Sequence, residues 1–357
     1  MTRKFVFYFL ALSLALASLS SPLVGCVNDD ANGFATLATE AAHLKLNSAE
    51  WQALRDKQII ARAVGKTLDK EMASFGVMIA DASSKEFFTA FDTLSVFAKS
   101  ETTIACGRFS AEPALADLDT LPLSDKDLYA LMHAKPNAAD IKLSAADIAR
   151  LQKAAGPQPL FNSKVKARLT AEYKQLLVDK ARLYLEKGDA GLESYVDQEE
   201  PVSPQEAFHE MLKAHSAGGT GGKLYEKMAT NPRGSESFVY WALQKFGKLK
   251  PVISLVHVLV HTEGQRSFIA SKQIYSSHYT EAGLAVAELI PFTDAAGQTR
   301  TLVAYTIRLQ VDLLGGSVGF MKKRMAQPHM LENLKTSLTA LRMNVETMRQ
   351  SNTAQRL

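Results

Sequence analysis

The chain is poor in the features that place a protein quickly. Its 357 residues include two cysteines, Cys26 and Cys106, too few for a small scaffold stapled by disulfides. Neither Cys-x-x-Cys nor His-Glu-x-x-His occurs, so the usual spacings of a zinc or metalloprotease site are missing. Gly-x-Ser-x-Gly is missing too. Gly315-Gly316-Ser317-Val318-Gly319 comes nearest, and there a helix start accounts for the glycines. Past residue 25 no run of eighteen apolar residues appears, which excludes a polytopic helical membrane protein. Neither sign of charge dominates: 41 Lys and Arg face 37 Asp and Glu. No basic stripe with interleaved aromatics appears either, so nucleic acid is not an expected partner. The eight histidines are scattered. His257 and His261, the nearest pair on one strand, would stand about 13 Å apart, too far to share a metal. No metal or cofactor and no catalytic residue is expected from these patterns.

What is present is an ordinary globular composition, 46% hydrophobic and 22% charged, behind an unusual N-terminus. Arg3 and Lys4 precede a nearly unbroken apolar stretch from Phe5 to Leu19, the shape of a bacterial export signal. Leu23-Val24-Gly25-Cys26 follows and resembles a lipobox, the lipidation motif of bacterial lipoproteins. That resemblance implies a signal peptide over 1–25, a lipid on Cys26, and a membrane-anchored protein of the cell envelope. Val27 after the cysteine fits sorting to the periplasmic face of an outer membrane. Without Arg3 and Lys4 the chain keeps 39 basic residues against 37 acidic ones, a formal charge of +2. Lipidation would leave Cys106 as the lone thiol, beside Ile104, Ala105 and Phe109, where it reads as a small packed residue rather than a nucleophile.

Residues 26–34 read as a tether and 35–235 as a mainly helical region. Ala35 to Val64 is helical in composition. Gly76 to Ala80 reads as a short buried strand, followed by phenylalanines at helical spacing (Phe87, Phe88, Phe91 and Phe97). Cys106 to Leu143 is irregular, punctuated by prolines. Ser163 to Lys187 is the clearest helix, with Leu169, Tyr173, Leu176, Leu177, Ala181, Tyr184 and Leu185 on one face. Ser203-Pro204-Gln205-Glu206 is a capping box. Gly218 to Lys223 lacks the strand and the flanking residues of a phosphate loop and reads as a linker. From 236 to 350 the character changes. Four β-rich runs, 251–261, 266–278, 284–292 and 299–312, are separated by short turns and predict an antiparallel meander. Leu331, Leu334, Leu338, Leu341, Val345 and Met348 then form an apolar helical stripe that must bury against that sheet. The expected fold class is α+β, a mainly helical N-terminal part followed by an antiparallel sheet covered by a long C-terminal helix.

Several stretches resemble a family of bacterial exported proteins without assigned activity. They are Gly107-Arg108-Phe109, Tyr240-Trp241, Lys245-Phe246-Gly247, Lys250-Pro251-Val252-Ile253-Ser254 with His257, Ser271-Lys272-Gln273-Ile274-Tyr275, and Ser277-His278-Tyr279. The resemblance brings no catalytic residues. A Gly-Asp-Cys stretch that often precedes the family's Lys-Leu pair is replaced before Lys142-Leu143 by Asn137-Ala138-Ala139-Asp140. The C-terminal half also resembles START-like helix-grip domains in outline, which implies a cavity between sheet and helix.

Strand alternation sorts the candidate site. Ile253, Leu255, His257, Leu259 and His261 share one face of the first strand. Lys272, Ile274 and His278 alternate with Gln273, Tyr275 and Tyr279 on the second. Arg308 lies on the polar face of the fourth, opposite Tyr305. His257, Lys272, Tyr275, His278, Tyr279 and Arg308 are therefore the candidate ligand-binding residues: two cations for an anionic head group, two histidines and a tyrosine for hydrogen bonds, and aromatic wall. The first functional expectation is an anchored lipoprotein that binds a lipid-like small molecule. The second is an envelope scaffold with a solid core and a protein partner. The third is an enzyme in which His257 or His278 meets Glu281 or Asp312.

Overall fold

The computed structural model describes residues 31–65, 67–95, 102–157, 161–215, 220–234, 236–247, 249–316 and 319–354. The export signal, Cys26, Phe97, and Gly218 and Gly219 of the glycine-rich stretch lie outside them. The strands are β1 (Ile60–Ala63), β2 (Glu71–Ala80), β3 (Thr103–Arg108), β4 (Ser237–Gln244), β5 (Val252–Glu263), β6 (Arg266–Ser276), β7 (Thr280–Thr293) and β8 (Thr299–Val311). The helices are α1 (Ala31–Glu40), α2 (Ser48–Arg55), α3 (Ser84–Asp92), α4 (Asp125–Met132), α5 (Ala145–Ala155), α6 (Ser163–Lys187), α7 (Pro204–His215), α8 (Thr220–Thr230) and α9 (Gly319–Ala354).

The fold is α+β. The strands form one antiparallel sheet in the order β1-β2-β8-β7-β6-β5-β4-β3. The meander β5 to β8 lies at its centre. The N-terminal half, which composition alone makes mainly helical, also supplies β1, β2 and β3, and so both edges. The chain from Ala31 is already helical, and α2 gives way to a strand at Ile60. Thr220-Gly221-Gly222-Lys223 opens α8 rather than a linker.

The pleat sends alternate residues to two faces. The inner face carries Met72 and Met78 of β2, Val303, Ile307 and Leu309 of β8, Ala285 and Leu289 of β7, Val256 of β5 and Tyr240 of β4. It packs against Phe87 and Phe91 of α3 and Leu334, Leu338, Leu341 and Val345 of α9. The apolar stripe of α9 is therefore buried on the sheet. Close approach requires Gly76, where a Cβ would stand 2.6 Å from Leu338 Cδ1. Tyr240 of β4 and Ile307 and Leu309 of β8 line one cleft with three strands between them. In a flat sheet they would be about 19 Å apart, so the sheet curls around its inner face.

The outer face is covered by three helical groups. Helices α4, α5 and α6 pack on Trp241, Leu255, Ile274 and Tyr275. Helices α7 and α8 pack on Leu259, Phe268, Ala270 and Leu284. Helices α1 and α2 pack on Val77, Ile290, Phe292 and Leu302. All of α4 to α8 arises between β3 and β4, two neighbouring strands.

Candidate functional site: an inner-face cleft and an outer-face polar seam

Small side chains thin the inner face across four strands. Ala242 of β4, Ser254 of β5, Ser271 of β6, and Gly283 and Ala285 of β7 lie beside Val256, Ile307 and Leu309, with Tyr240, Gln244 and Gln273 completing the wall. They bound a cleft of about 20 Å³. It is narrow, with room for about one ordered water as it stands. Its polar groups are few. Gln273 Nε2 donates to Ser254 Oγ at 2.8 Å, while the buried Gln273 Oε1 has no partner. Tyr305 Oη, in the same apolar layer, is also buried without a partner. Burial there pushes the Tyr305 hydroxyl well above its ordinary pKa, so it stays protonated and able to donate.

The residues singled out by sequence fall elsewhere, mostly in a polar seam between the outer face and the inserted helices. His257 is fully buried and its Nδ1 pairs with Tyr184 Oη at 2.9 Å. Burial, with the Lys272 charge adding to it, lowers the His257 pKa to about 3, so the ring is neutral. Lys272, also fully buried, forms an ion pair with Asp189 and lies 4.3 Å from the Phe208 ring centroid. Tyr275 Oη donates to the Lys142 carbonyl at 3.0 Å and contacts Tyr173 Oη at 3.0 Å. A register shift between Leu255 and Val256 in the β5–β6 ladder carries Tyr275 to the Ile274 side, away from the Gln273 face that strict alternation assigns it. Arg308 Nη1 donates to Glu71 Oε1 at 2.9 Å.

His278 and Tyr279 form the β6–β7 turn. Burial lowers the His278 pKa. Tyr279 takes a left-handed backbone, φ +64°, and its Oη accepts from the Lys250 N–H at 3.1 Å. The structure thus brings His257 and Lys272 close to each other, sets His278 beside Tyr279 with ring centroids 5.5 Å apart, and leaves Arg308 with Glu71. The carboxylates proposed for the histidines have other partners: Glu281 pairs with Lys70 at 2.8 Å and Asp312 with Lys142 at 3.0 Å.

Lys142 is the member of the seam that sequence reasoning missed. Its side chain is 1% exposed and touches Asp197 at 3.2 Å as well as Asp312. Burial outweighs the Lys142 charge at Asp312 and raises that carboxyl to about 6. Among the described residues no group of three or more His, Cys, Asp or Glu is placed to hold a metal. Cys106 is half-buried, and burial raises its thiol pKa, opposite to what a reactive thiolate needs. Two shallower depressions on the inserted helices are lined by charges that already pair, Arg150 with Glu172 and Asp179, and Lys180 with Asp147 and Glu193. No protein-family model matches this chain, and no curated protein matches it.

Proposed function

We propose that this is an envelope lipoprotein that binds a slender hydrophobic or amphipathic molecule in the cleft that β4 to β8 line on the inner face of the sheet. One observation carries the reading: an apolar cleft on the inner face whose wall includes a buried, unpartnered Gln273 Oε1. A buried acceptor without a donor costs stability, and a ligand hydroxyl or amide removes that cost. Tyr305 Oη offers a donor in the same layer. The order β2-β8-β7-β6-β5-β4-β3 with a helix across one face also supports the helix-grip outline, an argument from architecture alone. The head-group role expected of Lys272 and Arg308 is not part of this proposal, since both cations already have carboxylate partners.

The cleft is narrow, so ligand entry requires its strand-borne walls to spread. The test is native mass spectrometry of the chain from Val27 onward, purified from a bacterial envelope. An added mass lost on denaturation, and absent when Ser271→Phe fills the cleft, supports the reading. A bare mass together with no displacement of a fluorescent fatty acid sinks it. The anchor is tested separately: Cys26→Ser should release the protein from the membrane fraction or leave it unprocessed, and unchanged fractionation removes the lipoprotein part of the proposal. A second reading, a solid-core scaffold, is favoured by the same narrowness. It predicts that Ser271→Phe is tolerated without loss of function.

A further inference from the structure

The first turns of α9 combine two properties that no other part of the described surface shares. Phe320, Met321 and Met325 are 76%, 64% and 51% exposed. From Gly319 to Leu331 the helix holds Lys322, Lys323 and Arg324 and no acidic residue. Lys323 turns inward and donates to Thr67 Oγ1 at 2.6 Å and the Leu68 carbonyl at 2.9 Å. Lys322 and Arg324 have no ion-pair partner among the described residues. At 100° per residue Met321, Arg324 and Met325 fall on the face opposite the buried Ala326 and Met330, with Phe320 on its flank and the half-buried Lys322 at the border of the buried side, from which its long side chain can reach outward. Pro328 lies inside the helix. It lacks the N–H that would bond the Arg324 carbonyl, so these turns are held to the rest of α9 by one hydrogen bond fewer.

We infer that the first two turns of α9 are a docking surface for an anionic phospholipid bilayer. Apolar tips interleaved with long cationic side chains match a surface that is anionic at the top and apolar just beneath. The methionines and the phenylalanine enter the boundary between head groups and acyl chains, and Lys322 and Arg324 reach back to phosphates. A second copy is a poor occupant, because a two-fold contact would set the same unpaired cations against each other. The patch is also independent of the anchor expected at Cys26. The chain enters the fold at α1, where Gly33 lies against the Thr293 carbonyl. The start of α9 packs beside Thr67 and Leu68, at the Val311 end of β8. The thirteen residues of β8 separate the two ends by about 40 Å.

The chain from Val27 onward keeps every described element and is mixed with vesicles of phosphatidylcholine alone or with added phosphatidylglycerol. Sedimentation with the anionic vesicles only, weakened by salt, is expected. The pair Lys322→Glu and Arg324→Glu should reduce binding at least about tenfold, and Phe320→Ser with Met321→Ser and Met325→Ser should abolish it. None of the five side chains is fully buried, so melting should be unchanged. Equal sedimentation with neutral vesicles overturns the inference, as does binding that both sets of substitutions leave intact. So does a wild-type chain that ignores vesicles and self-associates through this patch, judged by a triple variant that is monomeric on gel filtration.

Discussion

The two faces of the one sheet are held by different physics. The inner face meets α3 and α9 through Phe87, Leu334, Leu338 and their neighbours by apolar contact. Hydrogen bonds tie α9 at its borders, as from Gln327 to Ser74 and from Arg342 and Arg349 to the Lys57 and Asp81 carbonyls. The outer face meets the inserted helices through apolar contact threaded by buried polar ties: Lys272 to Asp189, Lys142 to Asp197 and Asp312, and His257 to Tyr184. Apolar packing is non-directional and permits sliding, whereas a buried ion pair is costly in any arrangement but its own. The comparison teaches which layer can part. The ligand proposed above would enter on the inner face, where the residues lining the cleft form no charge pair.

The sharpest way to break the comparison is Lys272→Met, which leaves Asp189 without its buried partner. It should cost about 3–5 kcal/mol in urea denaturation, and Lys272→Met with Asp189→Leu should recover much of that loss. On the inner face, Leu338→Ala should cost about 2–4 kcal/mol by cavity formation, and no second substitution of charge should restore it. Gly76→Ala is expected to be milder, about 1–3 kcal/mol, because Leu338 can shift to admit the methyl group. If Lys272→Met proves cheaper than Gly76→Ala, the outer seam is not the rigid side.

Acid gives a gentler probe. His257 has a folded pKa of about 3 against an unfolded value of about 6.5. Between those values the unfolded chain binds the extra proton. The contribution is therefore fully present above about pH 6.5 and is lost as pH falls toward 3. Asp312 acts oppositely: with a folded pKa of about 6 it holds a proton in the fold that the unfolded carboxyl releases, so it favours the fold as pH drops from about 6 to 4. The histidine has the larger shift and sets the net sign. His257→Gln should flatten the acid side of the stability curve measured by urea titration from pH 7 to 4, and Asp312→Asn should steepen it.

The central sheet was legible because β5 to β8 are β-branched, alternate, and are joined by short turns. β4 was not, because Tyr240-Trp241-Ala242-Leu243 is buried on both faces and shows no alternation. β3 was hidden for another reason: it is a six-residue edge strand whose partner lies beyond the inserted helices. In the candidate site, the charges of Lys272 and Arg308 were visible but their partners were not. Asp189 and Glu71 lie 83 and 237 residues away in the chain. The cleft left no local mark, since each strand contributes only one or two small residues.

The placement of α4 to α8 between adjacent strands has a consequence for how the chain reaches its fold. Pairing β3 with β4 closes a loop of roughly 130 residues, a contact order that favours slow folding if the loop stays open. The inserted helices have an apolar cluster that includes Leu131, Leu151, Leu169 and Leu177. If these helices assemble first, they carry the ends of both strands toward each other. The closure is then made by a nucleus rather than by a search.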